Sequence, residues 1–422
     1  MYQDFKNLFK LFLVVLCLLS AIPFYSFAAE IDNSEELHLD SFSVSSTITS
    51  EPQINSRAAI ILEKSTGTVL FGKNENEQCK MASTTKIMTC IVVLENVPDL
   101  YEVVTVSKKA AGIGGSRLGL TANAQITVND LLYGLMLCSG NDAAIALAEF
   151  VAGSVEDFSI LMNNKASELG LTNTHFVTPH GLDNDEHYTT AYELALLTNY
   201  ALKNETFCKI VSTHSYSVII NNYTKTLHNT NELLGYLDGI YGVKTGFTNG
   251  ANRCLVSACK RGNMDIICIV LGADTKKFRT QDSIKLIEYA FSNFEMFDIG
   301  SIIENEFSNW KSENSRYFSI KKGITNNVST RLQNIKFKFF PVNKANIKDI
   351  HVKFSCDYSF EAPLLKGTKI GSLYCNLGEQ NICKLDIYCS NSVSKKNITF
   401  YFGNFIVNYS FYLESIFEEL NL

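Results

Sequence analysis

The chain has 422 residues, 46% of them hydrophobic and 11% aromatic, with 37 basic and 43 acidic side chains for a net charge of -6. That apolar content excludes a disordered chain, and the length leaves room for two domains. The acidic balance argues against nucleic acid as a partner.

Lys6 and Lys10 precede an apolar run over residues 11–19, and Ser26-Phe-Ala28 offers a small-x-small cleavage site. Residues 1–28 therefore read as a secretory signal peptide, with an uncleaved anchor as the alternative. Residues 29–57, rich in Ser, Thr, Asn and acids, read as a flexible tether. Of the 12 cysteines, Cys17 falls in the signal peptide, so an odd number remains and a complete disulfide framework is impossible. Cys90, Cys254 and Cys268 lie in apolar runs, where a thiol acts as a small hydrophobe. So many free thiols in an exported chain suit a reducing or anaerobic habitat.

Ser83-Thr-Thr-Lys86 opens an apolar run over residues 84–94 that predicts a buried helix ending near Pro98. Residues three apart share a helix face, so the Lys86 amine would stand beside the Ser83 hydroxyl, and burial would leave it uncharged and able to take the hydroxyl proton. Taken alone, the segment equally suits a core helix with a capping Ser and a snorkelling Lys. The same spacing recurs at Ser308/Lys311, Ser319/Lys322 and Ser392/Lys395, so spacing by itself decides nothing.

Residues 127–137 and 142–152 read as two helices, Thr127 and Asp130 forming a capping box for the first. Ser139-Gly140-Asn141 occupies the turn between them. There a hydroxyl could relay a proton and an amide could hold a peptide, although the same residues suit a plain interhelical turn. Further on, Lys244-Thr245-Gly246 lies in a strand followed by two more, an antiparallel meander. Such a strand presents a cation, a hydroxyl and backbone amides to a carboxylate or an extended peptide. The bland alternative is an edge strand protected by its Lys.

The three motifs in this order form the set associated with penicillin-type acyl transfer. Longer blocks accompany them: Met81-Ala-Ser-Thr-Thr-Lys-Ile-Met-Thr89, Leu137-Cys-Ser-Gly-Asn-Asp-Ala-Ala144, Pro179-His-Gly-Leu-Asp183, Asn229-Thr-Asn231 and Val243-Lys-Thr-Gly-Phe-Thr248. From about residue 58 past 279 the chain resembles the low-molecular-mass penicillin-binding D-alanyl-D-alanine carboxypeptidases. The resemblance implies that Ser83 attacks the bond between the terminal D-alanines of the peptidoglycan stem pentapeptide, with Lys86 as general base. It implies that Ser139 carries protons, that Asn141 orients Lys86 and the substrate amide, and that Lys244 and Thr245 bind the terminal carboxylate. Gly246 belongs to the same strand motif, and the amides of Ser83 and Phe247 would form the oxyanion hole. β-Lactam antibiotics would be covalent inhibitors. Arg279 falls where the family places an arginine that helps hold the carboxylate; a solvated surface arginine is the alternative. The family usually reads Ala-Gly beyond Thr248, whereas this chain runs Asn249-Gly-Ala-Asn252, a change that a left-handed Asn would accommodate.

His180, in a Pro/Gly loop, reads as a packing residue near the cleft, and Cys138 as non-catalytic. No His, Cys or Asp cluster has metal spacing and no phosphate loop is present, so neither metal nor cofactor is expected. A class A β-lactamase would need a water-activating glutamate, and Glu168-Leu-Gly-Leu171 reads instead as a helix end capped by Gly170. A catalytically silent wall-binding protein is the other rival, disfavoured by the full motif set.

The expected architecture is an α/β catalytic domain over residues 58–295, an antiparallel sheet covered by helices, followed by a small β-rich domain over 296–395. Alternating segments near residues 335–340 and 350–355 support the latter. In the terminal segment, 396–422, Phe405, Ile406, Tyr409, Tyr412, Leu413, Ile416, Phe417 and Leu420 gather on one helical face, opposite Glu414, Glu418 and Glu419. Membrane-surface contact and packing on the β domain or a partner compete for that face.

Overall fold

Ala58–Glu63 is buried along its whole length, as befits a strand covered on both faces. In the computed structural model, which describes residues 50–221 and 223–419, it is the second strand of a five-stranded antiparallel sheet. The order is Val69–Lys73, Ala58–Glu63, Met264–Ala273, Asn252–Arg261, Ile240–Thr248. Ile60 faces Ile269 and Ile61 faces Cys268, so the beginning of the domain closes on strands some two hundred residues later. The expected meander is present, with the Lys-Thr-Gly strand at the sheet edge.

Alternation along Ala58–Glu63 divides two cores. Ala59 and Ile61 pack with Ile284, Leu286 and Ile287 of helix Lys276–Asn293. Ala58, Ile60 and Leu62 face a larger helical layer built from Lys86–Asn96, Val128–Met136, Asn141–Ala152 and Ala191–Ala201. The helix at 276–293 starts earlier than the apolar pattern near Ser283 indicates. Its first turn is polar in sequence, and Thr275 caps it by accepting from the Phe278 amide.

The buried residues of a third core all lie beyond residue 298, with Phe297 packed against them, and include Trp310, whose ring stacks with those of Phe307 and Phe354. This core fills the space between helix Ile299–Asn314 and a four-stranded sheet ordered Thr330–Leu332, Gln380–Cys389, Lys369–Leu377, Ile350–Cys356. The 295/296 boundary expected from the sequence falls inside strand Phe294–Asp298, which pairs with Phe339–Asn343. The final helix is Ile398–Glu419, and every side chain from Tyr401 to Ser415 is exposed. Among the described residues, no helix is long and apolar enough to cross a membrane. The expected signal peptide and most of the expected tether lie outside the described residues.

Candidate active site

Ser83 stands in a 3-10 turn, Ala82–Thr85, that runs directly into helix Lys86–Asn96. The sequence pattern predicts an α-helix from Thr84; the tighter turn arises because two hydroxyls take i−3 carbonyls. Thr84 Oγ1 donates to Met81 O at 2.6 Å and Thr85 Oγ1 to Ala82 O at 2.8 Å. Residues three apart eclipse in a 3-10 turn, and Lys86 Nζ lies 2.8 Å from Ser83 Oγ. Ala82 is held at φ +47°, a left-handed conformation that a non-glycine residue adopts at a cost and that clusters at functional sites.

Lys86 is fully buried. Burying Ile87, Met88, Ile91, Val92 and Val93 on the same helix, at roughly 1.5–3 kcal/mol for each large side chain, offsets the cost of sealing an amine inside. Its nitrogen also lies 2.7 Å from Asn141 Oδ1 and 2.9 Å from the His180 carbonyl. Both are acceptors only, the Asn141 amide being oriented by Nδ2 donating to Gly114 O at 2.8 Å. They take the two hydrogens of a neutral amine and leave its lone pair for the Ser83 hydroxyl proton. Burial, and then the charge of Lys244, hold the Lys86 pKa well below its ordinary value, so the amine is free to accept that proton.

Ser139 reaches the same cleft from a left-handed backbone, φ +60°. Asp142, which the sequence pattern shows only as a helix residue, accepts from the amides of Leu118, Gly119 and Leu120 at 2.7, 2.7 and 2.9 Å. It thereby fixes the loop that walls the cleft. Opposite runs the Lys-Thr-Gly strand, so near Ser83 that a Cβ on Gly246 would meet Ser83 N at 3.1 Å. Asn231 Nδ2 donates to Gly242 O at 2.9 Å, and the hydroxyls of Thr230 and Thr245 lie 2.7 Å apart.

The cleft, about 820 Å³, is lined by Ser83, Ser139, Thr245 and Phe247 and by the cations Arg117, Lys276 and Arg279. Lys244 is sealed behind that wall, with Nζ on the Thr245 carbonyl at 2.9 Å, and burial lowers its pKa to about 7. Arg279 is 1% exposed, which removes the solvated-surface alternative. Its Nη2 donates to both oxygens of Glu232, at 2.9 and 2.7 Å, while Lys276 Nζ lies 2.8 Å from Glu232 Oε1. Burial works to raise the Glu232 pKa, and the Arg279 and Lys276 cations overrule it, so the carboxylate stays ionised. Arg279 Nε is buried without a partner.

The ring of His180 is structural: Nδ1 accepts from Leu182 N at 3.2 Å, and burial lowers its pKa to about 3. Its carbonyl on Lys86 is the part that reaches the site, a contribution no side-chain pattern discloses. His187 Nδ1 accepts from Val177 N at 3.0 Å, which leaves Nε2–H for Thr85 Oγ1 at 2.8 Å. Cys138 donates to Gly134 O at 3.1 Å, and burial pushes its thiol up to about 11, away from the reactive thiolate form. Asp183 accepts from Thr248 Oγ1 at 2.6 Å and from Gly250 N at 2.8 Å, tying its loop to the end of the Lys-Thr-Gly strand. Asn252, in place of the usual Gly, takes φ +56°, the left-handed conformation the sequence pattern calls for.

A family model described as D-alanyl-D-alanine carboxypeptidase matches residues 45–275, more than half of the chain. The chain belongs to the D-alanyl-D-alanine carboxypeptidase family. This carboxypeptidase is a serine hydrolase with the α/β fold expected from its sequence. A second model, the C-terminal domain of penicillin-binding protein 5, matches residues 320–395. Among similar carboxypeptidases, DacF of Bacillus subtilis is 34% identical over 77% of this chain and 82% of its own length. DacC of Escherichia coli is 39% identical over 58% of this chain and 63% of its own. The solved penicillin-binding protein 5 of Haemophilus influenzae aligns with a TM-score of 0.66 and 28% identity, over 82% of this chain and all of that one. The Streptomyces K15 DD-transpeptidase aligns with a TM-score of 0.55 and 35% identity, over 58% of this chain and all of that one.

Proposed function

We propose that Ser83 cleaves the bond between the two terminal D-alanines of peptidoglycan stem pentapeptides and that Lys86 is its general base. The carrying observation is the Lys86 nitrogen, buried and fixed between two obligatory acceptors with its remaining valence on Ser83 Oγ. Proton transfer to Lys86 frees Ser83 Oγ to attack the carbonyl. The oxyanion is received by the amides of Ser83 and Phe247, where one donor contributes roughly 100-fold or more in rate. Ser139 passes the proton from Lys86 to the departing D-alanine nitrogen, and Asn141 orients both amine and substrate. The leaving residue's carboxylate meets the Thr245 hydroxyl and Arg279, with the Lys244 charge behind them. Glu232 fastens Arg279 in this arrangement. Water then resolves the acyl-enzyme.

β-Lactams enter the same cleft and acylate Ser83. Among the described residues, no carboxylate in the cleft wall is placed to activate water against a penicilloyl ester: Glu168 pairs with Lys165 on the outer surface, and Glu232 is engaged by two cations. This distinguishes the site from that of a class A β-lactamase. The enzyme works outside the cytoplasm, exported by the leader at residues 1–28, and helix Ile398–Glu419 lays its apolar side on the membrane surface.

D-Alanine released from a pentapeptide ending in D-Ala-D-Ala, measured with and without prior penicillin, tests the reading. Release that penicillin blocks and that Ser83→Ala abolishes supports it. Covalent penicillin binding without release would leave a transpeptidase that needs an amine acceptor, and undiminished labelling of Ser83→Ala would remove Ser83 as the nucleophile.

A further inference from the structure

Strands Lys369–Leu377 and Gln380–Cys389 form a tight hairpin whose register sets Leu373 opposite Leu385 and Cys375 opposite Cys383. Residues directly opposite in an antiparallel pair share one face, so the two cysteines prolong the Leu373/Leu385 row that packs the C-terminal core. Directly opposed Cα atoms stand about 4.5 or 5.5 Å apart, and either spacing lies within the range of about 4.4–6.8 Å that a disulfide spans. Among the described residues, no other two cysteines are set opposite each other by strand register.

We propose that Cys375 and Cys383 form a redox-active dithiol that closes into a cross-strand disulfide when the enzyme meets a low-molecular-mass or protein disulfide as oxidant. Cys383 is half-buried and Cys375 fully buried, so Cys383 reacts first. The neighbouring Cys375 thiol is the chief cause that holds the Cys383 pKa below the usual range. The Cys383 thiolate attacks one sulfur of the oxidant and expels the other as a thiolate, leaving a mixed disulfide. Cys375 then loses its proton and attacks the Cys383 sulfur; the bond between Cys375 and Cys383 forms as the second oxidant thiolate departs. Two protein thiols lose two electrons, and one disulfide is reduced to two thiols. The closed form clamps the two central strands of the sheet near their turn and leaves the Ser83 site untouched.

The reduced full-length protein, incubated with glutathione disulfide, is quenched in acid, alkylated in denaturant and cut after Glu379, which separates the two cysteines. Mass spectrometry should find the Cys375 and Cys383 peptides linked, about 2 Da lighter than their reduced sum. The link should be absent from Cys383→Ser and reversed by dithiothreitol. The proposal is overturned if protein with an unchanged circular dichroism spectrum returns both cysteines as separate alkylated or glutathionylated peptides. Linkage of either to a third cysteine overturns it equally.

Discussion

At the scale of single residues, the proposed mechanism turns on the charge state of Lys86, and the structure gives it two controls: burial first, the Lys244 cation second. A base whose pKa is lowered on folding is neutral above that lowered value, so acylation rises as pH rises through it and fails below. Lys244→Met removes the second control. The Lys86 pKa then moves up, and the acidic limb of the acylation profile moves to higher pH with it. Acylation near neutrality should also fall about 100-fold, because the carboxylate loses a preorganised charge. The shift is largest below about pH 7, where Lys244 itself is charged; stopped-flow acylation by a chromogenic β-lactam across pH checks it. Glu232→Gln acts on binding instead. A hydrogen bond between charged groups contributes roughly 1.5–3 kcal/mol, so loosening Arg279 should raise KM for D-Ala-D-Ala peptides about 10-fold or more with kcat little changed. An equal fall in kcat would show that Glu232 supports the fold or the chemistry, not the carboxylate. That Ser83, Lys86, Ser139 and Asn141 gather at one cleft was legible in sequence because each belongs to a short local motif. Glu232 was not, since its partner lies 47 residues away and an isolated glutamate has no signature.

At the scale of elements, the site is a meeting of segments distant in sequence. The Lys86 nitrogen bonds a carbonyl 94 residues away, and a carbonyl belongs to every residue, so no pattern could name His180 O. What the sequence does disclose is the glycine that lets that loop approach. Gly181 has φ +85°, and a Cβ there would meet Ala82 O at 2.0 Å and Thr85 Oγ1 at 2.5 Å, so the loop rests on the Ser83 turn itself. Gly181→Ala must push the loop back and carry the His180 carbonyl off Lys86. Combined backbone strain and overlap should cost about 2 kcal/mol or more, read as a lowered Tm, and acylation should slow at least about 10-fold. Gly170→Ala is the control: its φ is +72° with nothing within 4 Å of a Cβ, so it should cost about 1 kcal/mol from strain alone and leave acylation unchanged. Equal acylation rates for the two variants would dismiss the loop as a positioning element. The helix at 276–293 teaches the same lesson in reverse: a polar first turn conceals a start that a Thr cap defines.

At the scale of the whole molecule, the two cores and the sheet account for the catalytic domain, and the Trp310 core for the β-rich one, but helix Ile398–Glu419 belongs to neither. Phe405, Ile406, Tyr409, Tyr412 and Leu413 are between 37% and 64% exposed, so the β domain does not cover this part of the face, and membrane-surface contact or a partner is what the sequence pattern leaves for it. An open apolar face of this size is unfavourable in water, and each large side chain returned to an apolar phase contributes roughly 1.5–3 kcal/mol. The helix itself carries no Lys or Arg, the nearest being Lys395 and Lys396 before its first turn, so attraction to anionic lipid adds only about 1 kcal/mol for each of those two. In the proposed membrane contact, apolar burial therefore dominates. The full chain should sediment with vesicles of neutral lipid nearly as well as with anionic ones, and raising the salt should release little of it. A chain ending at Asn397 should stay in the supernatant while acylating at the full rate, because the side chains from Tyr401 to Ser415 are all exposed. Binding confined to anionic vesicles and abolished by salt would instead assign the contact to Lys395 and Lys396, and the aromatic face would then need a protein partner.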